Sequence, residues 1–358
     1  MNRNLQELRA TGQSLWLDNI TRTLLDDGTL ARYIADYGLT GLTSNPTIFD
    51  KAVGSGSAYD AAIAEKNAAG TDTESLFVEL ALDDLRRAAK LFEPAFAESD
   101  GKDGWVSMEL SPLLADDTQG SIEAAKRLHT QADCRNLYIK IPGTPNGILA
   151  IEESIYSGVP VNITLLFSAA QYQAAAEAYL RGIERRVKEG KDPQVSSVAS
   201  LFVSRWDKAV ADKVPRELRN TLGIAVCQQA YRAYRELLAS DRWKRLAAAG
   251  AQPQRLLWAS TSTKDPDASN TLYVSALAAA DTVDTIPEAT LLAFAHSGEV
   301  ASVLDADAGG DHVLQAFKDA GIDVQRLAEQ LQEEGARSFV ESWQHLMQRI
   351  RDKASTLA

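Results

Sequence analysis

Lys140 lies inside the run Leu137-Tyr138-Ile139-Lys140-Ile141-Pro142, whose other members are apolar except for the Tyr138 hydroxyl. A run of this length and composition reads as a buried strand, where desolvation disfavours an ammonium group and leaves the amine a usable nucleophile for a carbonyl carbon. For one lysine in a strand, the alternative is a stem that packs while its charged head snorkels to the strand end or pairs with a carboxylate. Other strand-like runs also end in polar residues that their apolar bodies do not require: Asp18, Asn45, Glu109, Thr164, Ser200 and Ser260. Each has a plainer use as well, since Asp18 could cap the following helix, Asn45-Pro46 is a common turn pair, and threonine suits a strand.

These side chains act together only if the chain brings the strand ends to one place. The candidate strands are Leu15–Ile20, Gly41–Asn45, Trp105–Leu110, Leu137–Pro142, Val161–Leu166, Val195–Phe202 and Leu256–Ser260, with a weaker eighth at Thr282–Ile286. Amphipathic segments between them, such as Gly28–Tyr37, Glu74–Phe92, Ser121–Gln131, Ser168–Lys188, Ser204–Val214 and Arg219–Leu238, read as helices. An open doubly wound sheet would give the same alternation. It would scatter the polar strand ends along one edge, whereas a closed (β/α)8 barrel gathers them at one mouth.

The expected fold is therefore one (β/α)8 TIM barrel domain spanning 1–358, with extra helices at Ser57–Asn67 and Glu74–Phe92 between strands 2 and 3. Further helices, Val313–Ala320 and Val324–Ile350, end the chain as decoration outside the barrel, and Leu304–Asp311 is the best candidate linker. Strand alternation puts Lys140 on one face with Tyr138, Asn162 with Thr164, Glu109 with Ser107 and Trp105, and Ser260 with Trp258.

The 358 residues are 45% apolar and 24% charged, an ordinary globular composition, and the net charge is −12. With no basic stripe, neither nucleic acid nor an anionic membrane is an expected partner, and an anionic substrate would need a local basic pocket. No stretch has the length to cross a bilayer, and the N-terminal residues lack the apolar core of a signal peptide. Cys134 and Cys227 fit neither a disulfide framework nor a zinc site, so a reducing cytoplasm is expected. His129, His296, His312 and His345 lack metal-site spacing.

The runs LWLDN at 15–19, GLTSNPTIF at 41–49, SMEL at 107–110, LYIKIPGT at 137–144, VNITLLFS at 161–168 and SLFVSRWD at 200–207 closely resemble the transaldolases. The resemblance covers the whole barrel. It implies transfer of a dihydroxyacetone unit between phosphorylated sugars, without metal or organic cofactor, through an imine on Lys140. It further implies that Asp18 moves the C4 hydroxyl proton, and that Glu109 and Thr164 hold a catalytic water. Asn45, Asn162 and Ser200 would fix the hydroxyls of the bound unit, with Phe202 as a wall of the pocket. Arg205 falls at the family's phosphate-binding arginine. Many members have a second arginine where this chain has Ser262, and Lys264 is expected to supply that charge, with Ser260 donating a hydrogen bond. The short fructose 6-phosphate aldolases share the lysine but lack the extra helices and tend to have glutamine in place of Glu109. A silent barrel that only binds a sugar phosphate or a protein would need no nucleophile with two proton-transfer groups. The family includes monomers and oligomers, so a homo-oligomer is compatible with the resemblance.

Overall fold

Each short apolar run forms a strand in the computed structural model, which describes residues 2–305 and 309–357. The strands are β1 Ser14–Leu17, β2 Gly41–Leu42, β3 Val106–Glu109, β4 Leu137–Pro142, β5 Val161–Leu166, β6 Ser197–Phe202, β7 Arg255–Ala259 and β8 Val283–Ile286. All pair in parallel, in the order β2-β1-β8-β7-β6-β5-β4-β3. A single bridge, Gly41 to Trp105, joins the two ends and closes the (β/α)8 barrel. Leu42 N donates to Trp105 O at 2.9 Å, and Gly104 N donates to Thr40 O at 2.7 Å. Glycine is needed at this seam, because a Cβ at Gly41 would lie 2.7 Å from Trp105 O and 2.8 Å from the Trp16 ring.

β1, β2, β3, β6 and β8 are shorter than expected, and for β2 and β6 the reason is identifiable. β2 stops at Leu42 because Asn45 already caps helix Pro46–Gly54, accepting a hydrogen bond from Ile48 N at 3.0 Å. β6 begins at Ser197 rather than Val195, whose N–H closes a turn onto Pro193 O. β7 is displaced by one residue. Its pairing ends at Ala259 because Ser260 takes a left-handed backbone conformation, φ 60°.

Aromatic rings fill the barrel beneath the polar strand ends. Tyr138 stacks on Trp105 at 4.0 Å and on Trp16 at 6.0 Å between centroids. Below them the buried Arg255 guanidinium donates to Ser14 Oγ and Thr282 O, each at 2.6 Å. Asp103 accepts from Trp16 Nε1 at 2.6 Å and from Ser14 Oγ. This network pairs buried polar groups at the amino-terminal end of the barrel but leaves Arg255 Nε without a partner.

Three helices, Pro46–Gly54, Asp60–Ala68 and Thr73–Glu98, occupy the insertion between β2 and β3. Asp84 ties this insertion to the barrel wall: its carboxylate accepts from Arg22 Nε and from the Tyr59 hydroxyl, both at 2.8 Å. The expected helix 324–350 extends to Leu357. It is not an outer decoration. It lies along the insertion, with Thr47 Oγ1 2.8 Å from Ser342 Oγ, Arg349 paired to Asp50 at 2.7 Å, and Lys353 paired to Asp60. Of the expected linker Leu304–Asp311, residues 306–308 lie outside the described residues. Its ends are anchored, Leu304 N to Ala278 O at 2.8 Å and Asp311 to Arg232 at 2.8 Å.

One buried group outside the barrel lumen stands out. Asp284 on β8 is fully buried beside Thr261 and the Cys227 thiol, and neither of its carboxyl oxygens receives a hydrogen bond. Thr261 Oγ1 gives its hydrogen to Thr285 O instead, at 3.1 Å. Burial, and to a lesser degree the charge of Asp18, pushes the Asp284 pKa up to about 7, opposed in part by the nearby Thr261 hydroxyl. The folded state therefore binds this proton more tightly than the unfolded chain does. The stabilisation is complete below about pH 4 and is lost as pH rises toward 7. Asp284→Asn removes this titration. Its stability relative to wild type should rise between about pH 4 and pH 7 by on the order of a few kcal/mol and then level off, and its melting temperature should follow the same course. Parallel Tm-against-pH curves for the two proteins would refute the assignment.

Candidate active site

β3, β4 and β5 carry the central side chains, and parallel register aligns them. Glu109 pairs with Lys140, and Lys140 with Asn162, in neighbouring strands. Lys140 Nζ lies 3.2 Å from Glu109 Oε2, with both side chains 7% exposed. This contact is an ion pair without hydrogen-bond alignment, because Glu109 Oε2 has no hydrogen-bond partner. The ammonium instead donates to Ser44 O at 3.0 Å, and Ser44 is held by its own bond to Ser107 O at 2.7 Å. Thr164 Oγ1, buried two residues beyond the position paired with Lys140, also lacks a partner within the chain.

A cavity of ≈ 390 Å³ opens above this pair. Of the residues nominated from sequence, Asp18, Asn45, Lys140, Thr164, Ser200, Phe202, Arg205, Ser260 and Lys264 line it. Glu109 and Asn162 are not on its surface. Glu109 meets Lys140 from the side, and Asn162 lies beneath, donating to Ser107 Oγ at 3.2 Å and accepting from Ser200 Oγ at 2.7 Å. Asn162 thus orients Ser200. A wider groove, ≈ 790 Å³, lies at the amino end of β4 around Arg86, Lys90, His129 and Arg135. None of the barrel-mouth side chains reaches it.

The facing expected for β7 is corrected by the structure. Leu257 and Ala259 line the cavity, while Trp258 points outward and donates from Nε1 to Leu277 O at 2.9 Å. Ser260 reaches the cavity through its left-handed backbone, and its hydroxyl lies 2.9 Å from Ser204 Oγ. Asn45 serves both as helix cap and as part of the wall. Asp18 caps nothing: Thr21 caps the next helix, Arg22–Asp26.

The electrostatics divide the cavity into two ends. At the inner end, burial raises the pKa of Asp18, opposed by the charges of Lys140 and Lys264. Burial likewise raises that of Glu109, opposed by Lys140, so both carboxyl groups are better bases than solvent-exposed ones. At the outer end Arg205, Lys264 and Lys51 converge, and among the described residues none of them pairs with a carboxylate. Burial and the neighbouring charges of Lys208, Arg205 and Lys51 lower the Lys264 pKa, and Asp18 partly opposes this. Cations crowded in this way favour a dianion such as phosphate. Lys264 Nζ also donates to Ser262 Oγ at 2.5 Å. Among the described residues no group of His, Cys, Asp and Glu gathers as metal ligands would.

A family model described as transaldolase/fructose-6-phosphate aldolase matches residues 15–350. The chain belongs to the transaldolase/fructose-6-phosphate aldolase family. A protein of Saccharopolyspora erythraea named transaldolase is 41% identical, covering 98% of each chain. One from Nostoc sp. strain PCC 7120, named transaldolase 2, is 39% identical over 99% of this chain and 98% of its own. One from Parafrankia sp., named transaldolase, is 39% identical over all of both chains.

Sequence reasoning missed several residues that line this family member's cavity, notably Lys51, Thr285 and Phe339. Lys51 had a signal, since it follows Ile48 by three residues on the helix that Asn45 caps and so shares its inward face. Phe339 had none, because its place depends on how the terminal helix lies across the mouth. The outer end gives a direct test. Inorganic phosphate at a hundred times its Kd should add about 2.7 kcal/mol to stability by linkage. Arg205→Ala or Lys264→Ala should weaken that binding about tenfold or more. Phosphate-dependent Tm shifts that are unchanged in both variants would remove the anion site.

Proposed function

We propose that the chain is a transaldolase. It transfers a dihydroxyacetone unit from sedoheptulose 7-phosphate or fructose 6-phosphate to glyceraldehyde 3-phosphate or erythrose 4-phosphate, through a Schiff base on Lys140. The observation that carries this reading is the buried Lys140–Glu109 pair at 3.2 Å, beneath a cavity with a carboxyl group at one end and unpaired cations at the other. Full-length similarity to proteins named transaldolase supports it. The reaction belongs to the non-oxidative pentose phosphate pathway, in the cytoplasm, where the two free cysteines remain reduced.

In this reading the phosphate rests against Arg205 and Lys264, which places the donor's C2 carbonyl at Lys140. The lysine proton passes to Glu109, whose burial favours accepting it, and the neutral amine attacks C2. Glu109 and Thr164, which each bring an unpartnered buried oxygen to the Lys140 end of the site, hold the water through which the carbinolamine loses hydroxide as water and becomes an iminium ion. Asp18 then removes the C4 hydroxyl proton. The C3–C4 bond breaks, its electron pair enters the iminium as an enamine, and the aldose leaves. Asn45 and Ser200 hold the three-carbon unit in place, with Asn162 keeping Ser200 oriented. C3 of the enamine attacks the incoming aldehyde, Asp18 returns its proton to the new hydroxyl, and hydrolysis frees Lys140.

Borohydride added with fructose 6-phosphate should fix a stable adduct on the peptide containing Lys140. Lys140→Ala should lose the adduct and on the order of 10⁴-fold or more of the activity. No adduct in the wild type would end the Schiff-base reading. Product formation in turn should require an acceptor aldehyde. Free dihydroxyacetone released without an acceptor would instead identify a fructose 6-phosphate aldolase.

A further inference from the structure

The terminal helix Val324–Leu357 sends one polar side chain inward to a place that the mechanism above does not use. Gln332, 9% exposed, donates from its single Nε2 to Gly143 O at 3.0 Å and to Leu165 O at 2.9 Å. Gly143 directly follows β4, the strand of Lys140, and Leu165 directly follows Thr164 on β5. Gly143 N also donates to Thr164 O at 2.8 Å. The three bonds lock the ends of the two strands to each other and to the helix.

What is locked is strained. Leu165 has φ 59°, a conformation that costs a residue with a side chain of order 1–3 kcal/mol. The register between β5 and β6 also slips between Ile163 and Leu166. The slip spans Thr164 and Leu165, and Thr164 lines the cavity with its hydroxyl buried and unpartnered. A relaxed Leu165 would rotate the peptide that follows Thr164 and with it the direction of that side chain. The helix also fits closely against the strained turn. A Cβ at Gly335 would come 2.8 Å from Leu165 Cδ2 and 3.2 Å from Arg205 Nη1.

We infer that Gln332 is a positioning residue for imine formation: by holding the Leu165 carbonyl, it fixes the Thr164 hydroxyl relative to Lys140 and Glu109. The terminal helix thus takes part in the chemical step as well as covering the mouth. This role rests on the transaldolase reading of Thr164, so the test must separate the two.

The rate of borohydride-trappable adduct formation with fructose 6-phosphate is measured in four proteins: wild type, Gln332→Met, Thr164→Ala and the double variant. Methionine keeps the volume and removes both donated bonds. Gln332→Met should slow trapping about tenfold on the wild-type background and less than about twofold on Thr164→Ala, because its effect acts through the hydroxyl already removed. An equal loss on both backgrounds, or no loss on either, overturns the role of Gln332 while leaving the enzyme reading intact. Absence of a trapped adduct in wild type overturns the enzyme reading, and the role of Gln332 falls with it. If Gln332→Met does not fold, Gln332→Asn, which draws the amide back by one methylene, goes through the same cycle with the same expectations.

Discussion

Everything at the mouth of this barrel depends on keeping Lys140 and Glu109 out of water and 3.2 Å apart. Taking two such charges from solvent costs several kcal/mol per ion, and mutual attraction repays it only where geometry is held firmly. Three features hold it. β-register sets Glu109 beside Lys140, the Ser44 carbonyl takes the ammonium, and stacked Tyr138, Trp105 and Trp16 close the space below. The pair is nevertheless incompletely satisfied, since Glu109 Oε2 has no aligned donor. A buried pair at full satisfaction would be a good structural strut and a poor proton exchanger. The misalignment leaves one carboxylate oxygen of Glu109 without a hydrogen bond, so the pair is held by charge more than by direction.

The same constraint explains why the chain encloses its own barrel mouth. Bulk solvent admitted to the inner end would screen the pair and stabilise both charges where they are. The helix capped by Asn45 and the terminal helix cover that end together, and they are fastened to each other by Thr47 and Ser342, Asp50 and Arg349, and Asp60 and Lys353. Isolated ion pairs with this exposure contribute little stability. Here they set the position of Phe339 over the cavity and of Gln332 against β4 and β5. The insertion and the C-terminal extension, which look like separate additions along the sequence, are thus one covering in space.

How much of this could be read from the sequence depended on whether a side chain's place follows from local period. Lys140, Glu109, Asn162 and Thr164 were legible because period-two alternation assigns their faces and barrel closure assigns their end. β7 broke that logic. Its polar tip Ser260 turns inward only because its backbone is left-handed, a conformation that no neighbouring residue announces, and Trp258 consequently faces the helices. The fold itself was legible in the repeat of strands, whereas the seam at Gly41 and Trp105 was not, since one bridge between two short segments leaves no periodic trace.

Phe339 and Gln332 were unreadable for a different reason. Both sit on an amphipathic helix whose period says which face is buried but not what it is buried against. A glutamine at such a position ordinarily belongs at the edge of a helix face, exposed to water. Here it is buried because two main-chain carbonyls from other elements need a donor, one of them on a residue with φ 59°. Strain of that kind persists only where surrounding contacts hold it. The strained conformation at Leu165 and the buried donor at position 332 therefore depend on each other: the turn presents a carbonyl that needs a donor, and the donor helps to hold the turn.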